Sequence, residues 1–263
     1  MDRSPTLWER MSSPRACRRW LLLLTAAAAA VVAVTQYSPY LTEKPGPTPN
    51  LGAAVMAAQA DRQDANPALT YDGPLLATTV EADRVSWGAW VLCRVKIRSC
   101  GPLHQLAAGA GGDTAMDASQ QDAAAAARAL VPARERAHPA ATLAADLPGV
   151  DGPSAGLMLT LTFIDALSSG QLSSGGPVAG TGTIDPAGQT GPIGGVQYKV
   201  VAAAGAGARV FFVDDIDAPA ARAAAPAGLP VVAVGSVTDA LRWLCGHGAT
   251  SSICAHLPAG HGN

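Results

Sequence analysis

The chain has 263 residues, with 18 Lys and Arg against 20 Asp and Glu, so it can form one sizeable domain with an appendage or two small domains. This near-balance of charge argues against a strongly basic nucleic-acid-binding protein. Charged residues make up 14% and aromatic residues 5%, while alanine accounts for much of the 49% hydrophobic content. The composition therefore predicts a tightly packed core that is rich in small residues.

The N-terminal region has the pattern of a targeting segment. Residues 1–19 carry five arginines, and the uncharged stretch WLLLLTAAAAAVVAV begins at Trp20. At about 15 to 18 residues, this stretch lies between a signal-peptide core and a full membrane span. We interpret residues 20–37 as an uncleaved single-pass anchor, with a cleaved signal as the alternative. The positive-inside rule then predicts that residues 1–19 are cytoplasmic and that the chain from about residue 38 is extracytoplasmic, at the cell membrane.

Cysteine usage agrees with an oxidising compartment. Cys93 with Cys100, and Cys245 with Cys254, form two sequence-local pairs after the apolar stretch. Two short-loop disulfides are predicted, with free thiols as the alternative. Offsets of 7 and 9 residues are too wide for metal sites of the Cys-x2-Cys type, so no metal site is expected.

The remaining elements are predicted from hydrophobic pattern and turn residues. A linker and N-terminal extension over 38–74 precede a domain over 75–246 and a Gly-rich tail over 247–263. Predicted strands cover residues 75–81, 91–97, 142–147, 178–184, 210–213 and 231–234. Predicted helices cover residues 116–130, 157–167, 197–206 and 237–244. Strands and helices that mix without steady alternation predict an α+β domain with a single core.

The segment Asp151-Gly-Pro-Ser-Ala-Gly156 is a candidate catalytic site. Ser154 is flanked by small residues just before an apolar helix, a position at which a nucleophile can be exposed. Gly152 leaves room for a substrate backbone, and amides at the start of a helix, those around Gly152 and Ser154, can face a developing oxyanion. The alternative is that Pro153 and Ser154 simply start and cap the helix.

The same residues fit G-x-S-x-G, the nucleophile elbow of α/β-hydrolases. That interpretation is disfavoured because residues 148–151 separate the serine from the preceding strand, whereas an elbow follows its strand directly. The histidines after Ser154, at positions 247, 256 and 261, lie in the Gly-rich tail, which is a poor scaffold for a rigid base.

Lys199 is the candidate base for Ser154. It lies in Gly191-Pro-Ile-Gly-Gly-Val-Gln-Tyr-Lys199 and is followed by valines and alanines. Burial among such residues lowers the pKa of a lysine from about 10.4, which makes a neutral amine available near pH 7. A solvated lysine on a helix surface is the alternative for this residue taken alone. Each residue alone is a weak indication of a catalytic site, and the indication becomes strong only when the serine and the lysine are considered together.

With their surrounding motifs, Ser154 and Lys199 resemble the Ser–Lys dyad of Lon-type serine peptidases. The resemblance covers residues 147–244 and rests on five motifs in order: DGPSAGL (151–157), AGTGTID (179–185), GPIGGVQYK (191–199), AAAGAGA (202–208) and FFV (211–213). It implies the α+β Lon proteolytic fold and hydrolysis of protein or peptide substrates through an acyl-enzyme on Ser154, with Lys199 as the base. It also implies that Thr181 orients Lys199 and that Asp151 helps to shape the site.

A looser resemblance extends to the N-terminal part. The apolar stretch, residues 37–52, residues 75–84 and residues 116–127 are similar to the membrane-anchored, PDZ-bearing Lon-like peptidases of bacteria, which are ATP-independent. Only residues 131–142 stand where a PDZ domain would lie, so that domain is expected to be missing. The chain contains no G-x4-G-K-[ST] motif, and neither ATP nor another cofactor is expected.

The resemblance allows a homo-oligomer, since Lon-type domains commonly form rings. A catalytically silent, membrane-tethered binding or scaffold module with the same fold is the alternative function.

Overall fold

The computed structural model of the chain describes residues 14–60, 73–95, 101–102, 112–133, 136 and 143–257. The chain divides into two compact units. The first comprises Met1–Glu43 with Ala82–Leu103, and the second comprises Lys44–Glu81 with His104–Asn263.

The first unit contains the N-terminal apolar helix. Helix α1 spans Pro14–Thr35, and its part from Arg18 to Thr35 has a mean hydropathy of 1.5 with none of it buried. By length and composition this helix can cross a membrane. Strand β1 (Tyr37–Pro45) follows and lies between strands β3 (Val80–Ser86) and β4 (Gly101–Pro102) in a three-stranded sheet.

The strand predicted over 91–97 is wrong in its described part, residues 91–95. Helix α3 spans Trp87–Arg94, and it starts at Ser86, whose side-chain oxygen accepts a hydrogen bond from the Ala89 amide at 3.3 Å. A serine at this position satisfies an amide that the first helical turn leaves free, and so favours a helix over a strand. The apolar and β-branched residues that suggested a strand from Val91 are carried on a helix because the cap and the local packing outweigh their weak strand preference.

The region predicted as a linker also contains regular structure. Besides β1, residues Leu51–Ala60 form helix α2, in which Leu51 and Val55 are fully buried. The Asn50 side chain accepts a hydrogen bond from the Gly52 amide at 2.9 Å, as a residue at a helix start does. Burial of Leu51, Ala54 and Val55 in the core of the second unit explains a helix that the short apolar stretch alone did not predict.

The second unit is built on a four-stranded sheet with the order β2-β5-β8-β9, in which every pair is parallel. The predicted mixture of helices and strands is confirmed. The strands of this unit are β2 (Leu75–Ala77), β5 (Val178–Gly180), β6 (Thr183–Ile184), β7 (Thr190–Gly191), β8 (Val210–Asp214) and β9 (Val231–Val234). Its helices after α2 are α4 (Gly112–Leu130), α5 (Gly156–Leu167), α6 (Val196–Gly205), α7 (Ala218–Ala224) and α8 (Val237–Gly246).

Three strand predictions in this unit need correction. The strand expected over 75–81 ends at Ala77 in β2, and its last two residues belong to β3, in the three-stranded sheet. The strand expected over 178–184 is divided into β5 and β6, which belong to different sheets. The segment expected as a strand over 142–147 is not a strand in its described part, residues 143–147. Its backbone is tied instead to neighbouring helices, since the Ala145 amide donates to the Gln120 side chain and the Asp146 amide donates to the Ala54 carbonyl.

The core lies on both faces of the parallel sheet. Alternate residues of β8 belong to two hydrophobic clusters: Val210 and Phe212 pack with helix α5, whereas Phe211 and Val213 pack with α6 and α7. Successive side chains of a strand point to opposite faces, so this alternation places helices on each side of the sheet. In such a layered arrangement, the carboxyl ends of the parallel strands are the usual location of a functional site.

Candidate active site

Ser154 and Lys199 are in direct contact. The Nζ atom of Lys199 donates a hydrogen bond to Oγ of Ser154 at 2.8 Å, across 45 residues of sequence. A second hydrogen bond runs from Nζ to Oγ1 of Thr181 at 3.2 Å. Thr181 follows the carboxyl end of β5, so all three side chains meet where the topology of a parallel sheet favours a site.

The backbone around Ser154 is held in an unusual conformation. Gly152 has φ = 87°, which favours glycine over residues with a side chain. Residues Pro153–Ala155 then form one turn of 3-10 helix that leads into α5. A Cβ atom at Gly156 would lie 2.8 Å from Cγ2 of Ile184, so a larger residue would push the start of α5 away from its neighbours.

Two neighbouring elements tie this turn in place. Oγ of Ser119, on α4, donates to the Pro153 carbonyl at 3.1 Å. On the other side, the Ser154 carbonyl accepts hydrogen bonds from the Gly182 amide at 2.9 Å and from the Thr181 hydroxyl at 3.0 Å. The nucleophile candidate is therefore fixed by its own backbone, which leaves its side-chain oxygen directed to Lys199.

The Thr181 hydroxyl has a defined direction. A hydroxyl carries a single proton, and that of Thr181 is donated to the Ser154 carbonyl. Towards Lys199, Thr181 can then act only as an acceptor. One N–H of the Lys199 amine is directed to Thr181. This hydrogen bond restricts rotation about the Cε–Nζ bond, so that a second position on Nζ faces Ser154.

Lys199 is buried, with 4% of its surface exposed. Desolvation lowers its pKa to about 8, and the negative charge of Asp217 opposes part of that shift. Helix α6, which carries the lysine, starts after Gly195, a left-handed residue with φ = 70°. The predicted desolvated lysine is thus found on the predicted helix.

The acidic turn after β8 is not a purely solvated loop, because two of its aspartates accept hydrogen bonds from neighbouring elements. Asp214 is 5% exposed and accepts a hydrogen bond from the Thr190 hydroxyl at 2.8 Å. Asp217 accepts one from the Ile193 amide at 2.7 Å and so holds the loop that precedes α6. A run of aspartates directly after a buried strand was the available signal, because that position is the carboxyl edge of the sheet.

The other residues predicted for the site take different positions relative to the Ser154–Lys199 contact. Gly152 is buried, whereas Asp151 is exposed and forms no hydrogen bond with Ser154, Thr181 or Lys199, all of which are described. His247 stacks on Trp243, with its Nδ1 atom 2.7 Å from the Trp243 carbonyl oxygen. This histidine is engaged at the end of α8, and Nδ1 of His256 lies 3.1 Å from the Ser252 carbonyl oxygen, whereas His261 lies outside the described residues.

The cysteines of the second unit form a disulfide between Cys245 and Cys254, as one of the two predicted pairs requires. The bond joins the end of α8 to a 3-10 turn whose Ser252 amide donates to the Ser169 carbonyl at 2.8 Å. Cys93 is also disulfide-bonded, and Cys100 lies outside the described residues. Within the described ranges, no group of three His, Cys, Asp or Glu side chains could hold a metal ion.

A comparison with known protein families gives a match over the region of this site. The family model of the Lon protease (S16) C-terminal proteolytic domain matches residues 144–219, a stretch that includes Ser154, Thr181 and Lys199. No curated protein matches the chain. From the family match and the mixed fold described above, we conclude that the chain carries a serine peptidase domain of the Lon (S16) type.

Proposed function

We propose that the protein is a membrane-anchored, ATP-independent endopeptidase that cleaves proteins or peptides on the extracytoplasmic side by a Ser–Lys mechanism. The observation that carries this proposal is the 2.8 Å contact between Nζ of Lys199 and Oγ of Ser154 within a desolvated site. A buried lysine that contacts a serine hydroxyl has the geometry and the lowered pKa that a general base needs.

Acylation starts from the neutral amine. With one N–H directed to Thr181, the neutral amine can turn its lone pair to Ser154, and the serine proton passes to Nζ as Oγ attacks the peptide carbonyl carbon. The Lys199 ammonium then gives that proton to the nitrogen of the leaving amine, and the C–N bond breaks. An acyl ester on Ser154 remains, and Lys199 is neutral again.

Deacylation repeats the sequence with water. Lys199 takes a proton from a water molecule that attacks the ester carbonyl, and the same proton returns to Oγ as the ester bond breaks. The developing oxyanion in both halves needs hydrogen-bond donors close to Ser154. We assign this role to backbone amides around Gly152 and Ser154, because the glycine's φ of 87° turns the chain just before a helical start.

The proposed location in the cell is supported by the first unit. Helix α1 is long and apolar enough to span a membrane, and five arginines lie within residues 1–19, just before its uncharged stretch. We therefore propose that residues 1–19 are cytoplasmic. The peptidase domain, residues 75–246, then lies on the extracytoplasmic side. A disulfide between Cys245 and Cys254 is compatible with an oxidising compartment.

The test is a cleavage assay on casein with the full-length chain in detergent micelles. We expect Ser154→Ala and Lys199→Ala each to lower the turnover rate by at least about a thousandfold, as removal of a nucleophile or its base does. His247→Ala and Lys44→Ala are matched controls, since His247 contacts Trp243 and Lys44 pairs with Glu81 at 3.3 Å. Both controls should keep the wild-type rate.

Two results would overturn the proposal. Loss of activity in Ser154→Ala and His247→Ala, with Lys199→Ala active, would identify a histidine-dependent hydrolase. A wild-type protein that cleaves no substrate, but binds a partner as well as Ser154→Ala does, would favour the scaffold alternative.

A further inference from the structure

Helix α3 exposes an unusually apolar surface for a helix outside the membrane-spanning segment. None of its residues is buried, and the exposed fractions are 41% for Trp87, 54% for Val91 and 40% for Leu92. Val95, directly after the helix, is 59% exposed. Apolar side chains that are adjacent on one helix and open to water mark a contact with another molecule or with a membrane.

The position of α3 in the first unit favours a membrane, rather than another molecule, as the partner of this apolar surface. The Trp87 amide donates a hydrogen bond to the Gln36 carbonyl at 3.1 Å, directly after the end of α1. A Cβ atom at Gly88 would lie 3.1 Å from the Ala33 carbonyl oxygen, so the glycine lets α3 approach the last turn of α1 closely. Helix α3 therefore lies at the level where the apolar segment of α1 ends.

The aromatic residues at this level form one cluster. The ring centroids of Trp87 and Trp90 are 5.6 Å apart, and those of Tyr40 and Trp90 are 5.7 Å apart. The guanidinium of Arg94 lies 5.4 Å from the centre of the Trp90 ring. Tryptophan and tyrosine side chains with an adjacent arginine are typical of the boundary between lipid acyl chains and headgroups.

The opposite end of the apolar segment carries a matching residue. Trp20 is 54% exposed and starts the uncharged stretch that ends near Tyr37. A helix of this length spans roughly 25 Å at 1.5 Å per residue, close to the thickness of the hydrocarbon core. Aromatic residues therefore stand at both ends of the segment, as in a membrane-spanning helix with two interfacial belts.

We propose that α3 lies in the headgroup–acyl boundary of the outer leaflet and that its apolar side chains Trp87, Val91 and Leu92 enter the lipid, so that the peptidase is attached by an interfacial helix as well as by α1. This inference rests on the proposed membrane anchoring. Arg94, at the end of the helix, is available to lipid phosphates, whereas a protein partner would need a shaped complementary surface.

The experiment uses the full-length chain in phosphatidylcholine vesicles that contain lipids brominated at a shallow or a deep position of the acyl chain. Bromine quenches tryptophan fluorescence on contact. We expect Trp87→Phe/Trp90→Phe to remove the larger part of the quenchable emission, and shallow bromine to quench this component more than deep bromine. The matched control Trp243→Phe, in the second unit, should remove emission that neither lipid quenches.

The outcomes separate the interfacial helix from the anchor. If Trp87→Phe/Trp90→Phe removes only emission that bromine does not quench, while Trp20→Phe removes quenchable emission, the chain is inserted but α3 faces water or a protein, and the inference is wrong. If Trp20→Phe removes no quenchable emission, the anchor itself is not inserted, and both proposals on the membrane fail. Peptidase activity of Trp87→Phe/Trp90→Phe in micelles, compared with wild type, verifies that the variant is folded.

Discussion

Two apolar helices of this chain lie in opposite environments. All residues of α5 (Gly156–Leu167) are buried, whereas none of α3 (Trp87–Arg94) is. Each carries a single charged residue, Asp165 in α5 and Arg94 in α3, so composition barely separates them. Helix α5 is covered by α4 on one side and by the parallel sheet on the other, while α3 packs on the end of α1. The comparison shows that the burial of an apolar helix depends on the elements that pack against it and not on its composition alone.

The interior that surrounds α5 also tolerates polar groups where each has a partner. The carboxylate of Asp165 is 6% exposed and accepts a hydrogen bond from the Leu172 amide at 2.8 Å. Lys199 is similarly enclosed, with Ser154 and Thr181 as its partners. Burial raises the free energy of such groups unless they are hydrogen-bonded, which makes this part of the molecule sensitive to substitution.

The largest effect on the free energy of unfolding is expected for a leucine in α5, compared with a matched leucine in α3. Leu161→Ala in α5 removes a fully buried side chain and should lower the free energy of unfolding by about 2–5 kcal/mol. The matched variant Leu92→Ala in α3, where the side chain is 40% exposed, should change it by less than about 1 kcal/mol. Urea denaturation in detergent micelles, followed by circular dichroism, measures both. Equal losses would contradict the contrast between the two helices.

Removal of the buried charge next to α5 is expected to stabilise the protein while it abolishes the proposed activity. Below pH 8 the ammonium of Lys199 is desolvated in the folded protein and solvated in the unfolded chain, which is why its pKa falls from 10.5 to about 8. Lys199→Met should therefore raise the free energy of unfolding at pH 7 by up to about 3 kcal/mol.

The sign of this effect can be checked with pH. Wild-type stability should rise between pH 8 and pH 10.5, since the unfolded chain binds more protons than the folded one in that window. The advantage of Lys199→Met should shrink over the same range, as measured by urea denaturation at each pH. An advantage that stays constant with pH would show that a desolvated charge is not its cause.

Loss of the disulfide near the end of α8 is expected to destabilise the peptidase unit. Cys245 and Cys254 are separated by 9 residues, and loss of such a short loop closure should lower the free energy of unfolding by about 2–3 kcal/mol in Cys245→Ser. Cys93→Ser, in α3, should leave the unfolding transition of the peptidase unit in place. The comparison is made by thermal or urea denaturation under oxidising conditions, and identical curves for wild type and Cys245→Ser would refute it.

The smallest expected effect concerns the pH dependence of cleavage. For the wild type, kcat/KM should rise as the pH increases through about 8, where Lys199 loses its proton. Asp217 raises the pKa of Lys199, so Asp217→Asn should move this rise to lower pH. Asp215→Asn, an exposed neighbour in the same turn, is the control and should leave the profile unchanged. A profile of Asp217→Asn that coincides with wild type would show that the charge of Asp217 does not act on the base.

Much of the site was accessible from the sequence because its residues occur in local motifs with chemical meaning. Ser154 precedes an apolar run that could be recognised as α5, and Lys199 lies among glycines and small apolar residues on a predictable helix. Thr181 was implied by the family resemblance, and the structure brings it into contact with both. The role of Asp217 escaped prediction, because a run of aspartates after a strand is more often solvated than close enough to a buried lysine to affect its pKa.

What the sequence by itself determined is the set of elements that local periodicity encodes: the N-terminal apolar helix, helices α4, α5, α6 and α8, and strands β8 and β9. Tertiary structure alone decided the division of residues 178–184 between two sheets, the helix at Trp87–Arg94 and the burial of Asp214. These features depend on hydrogen bonds and packing between residues far apart in sequence. Local propensities are worth less than about 1 kcal/mol per residue and are overridden by such contacts.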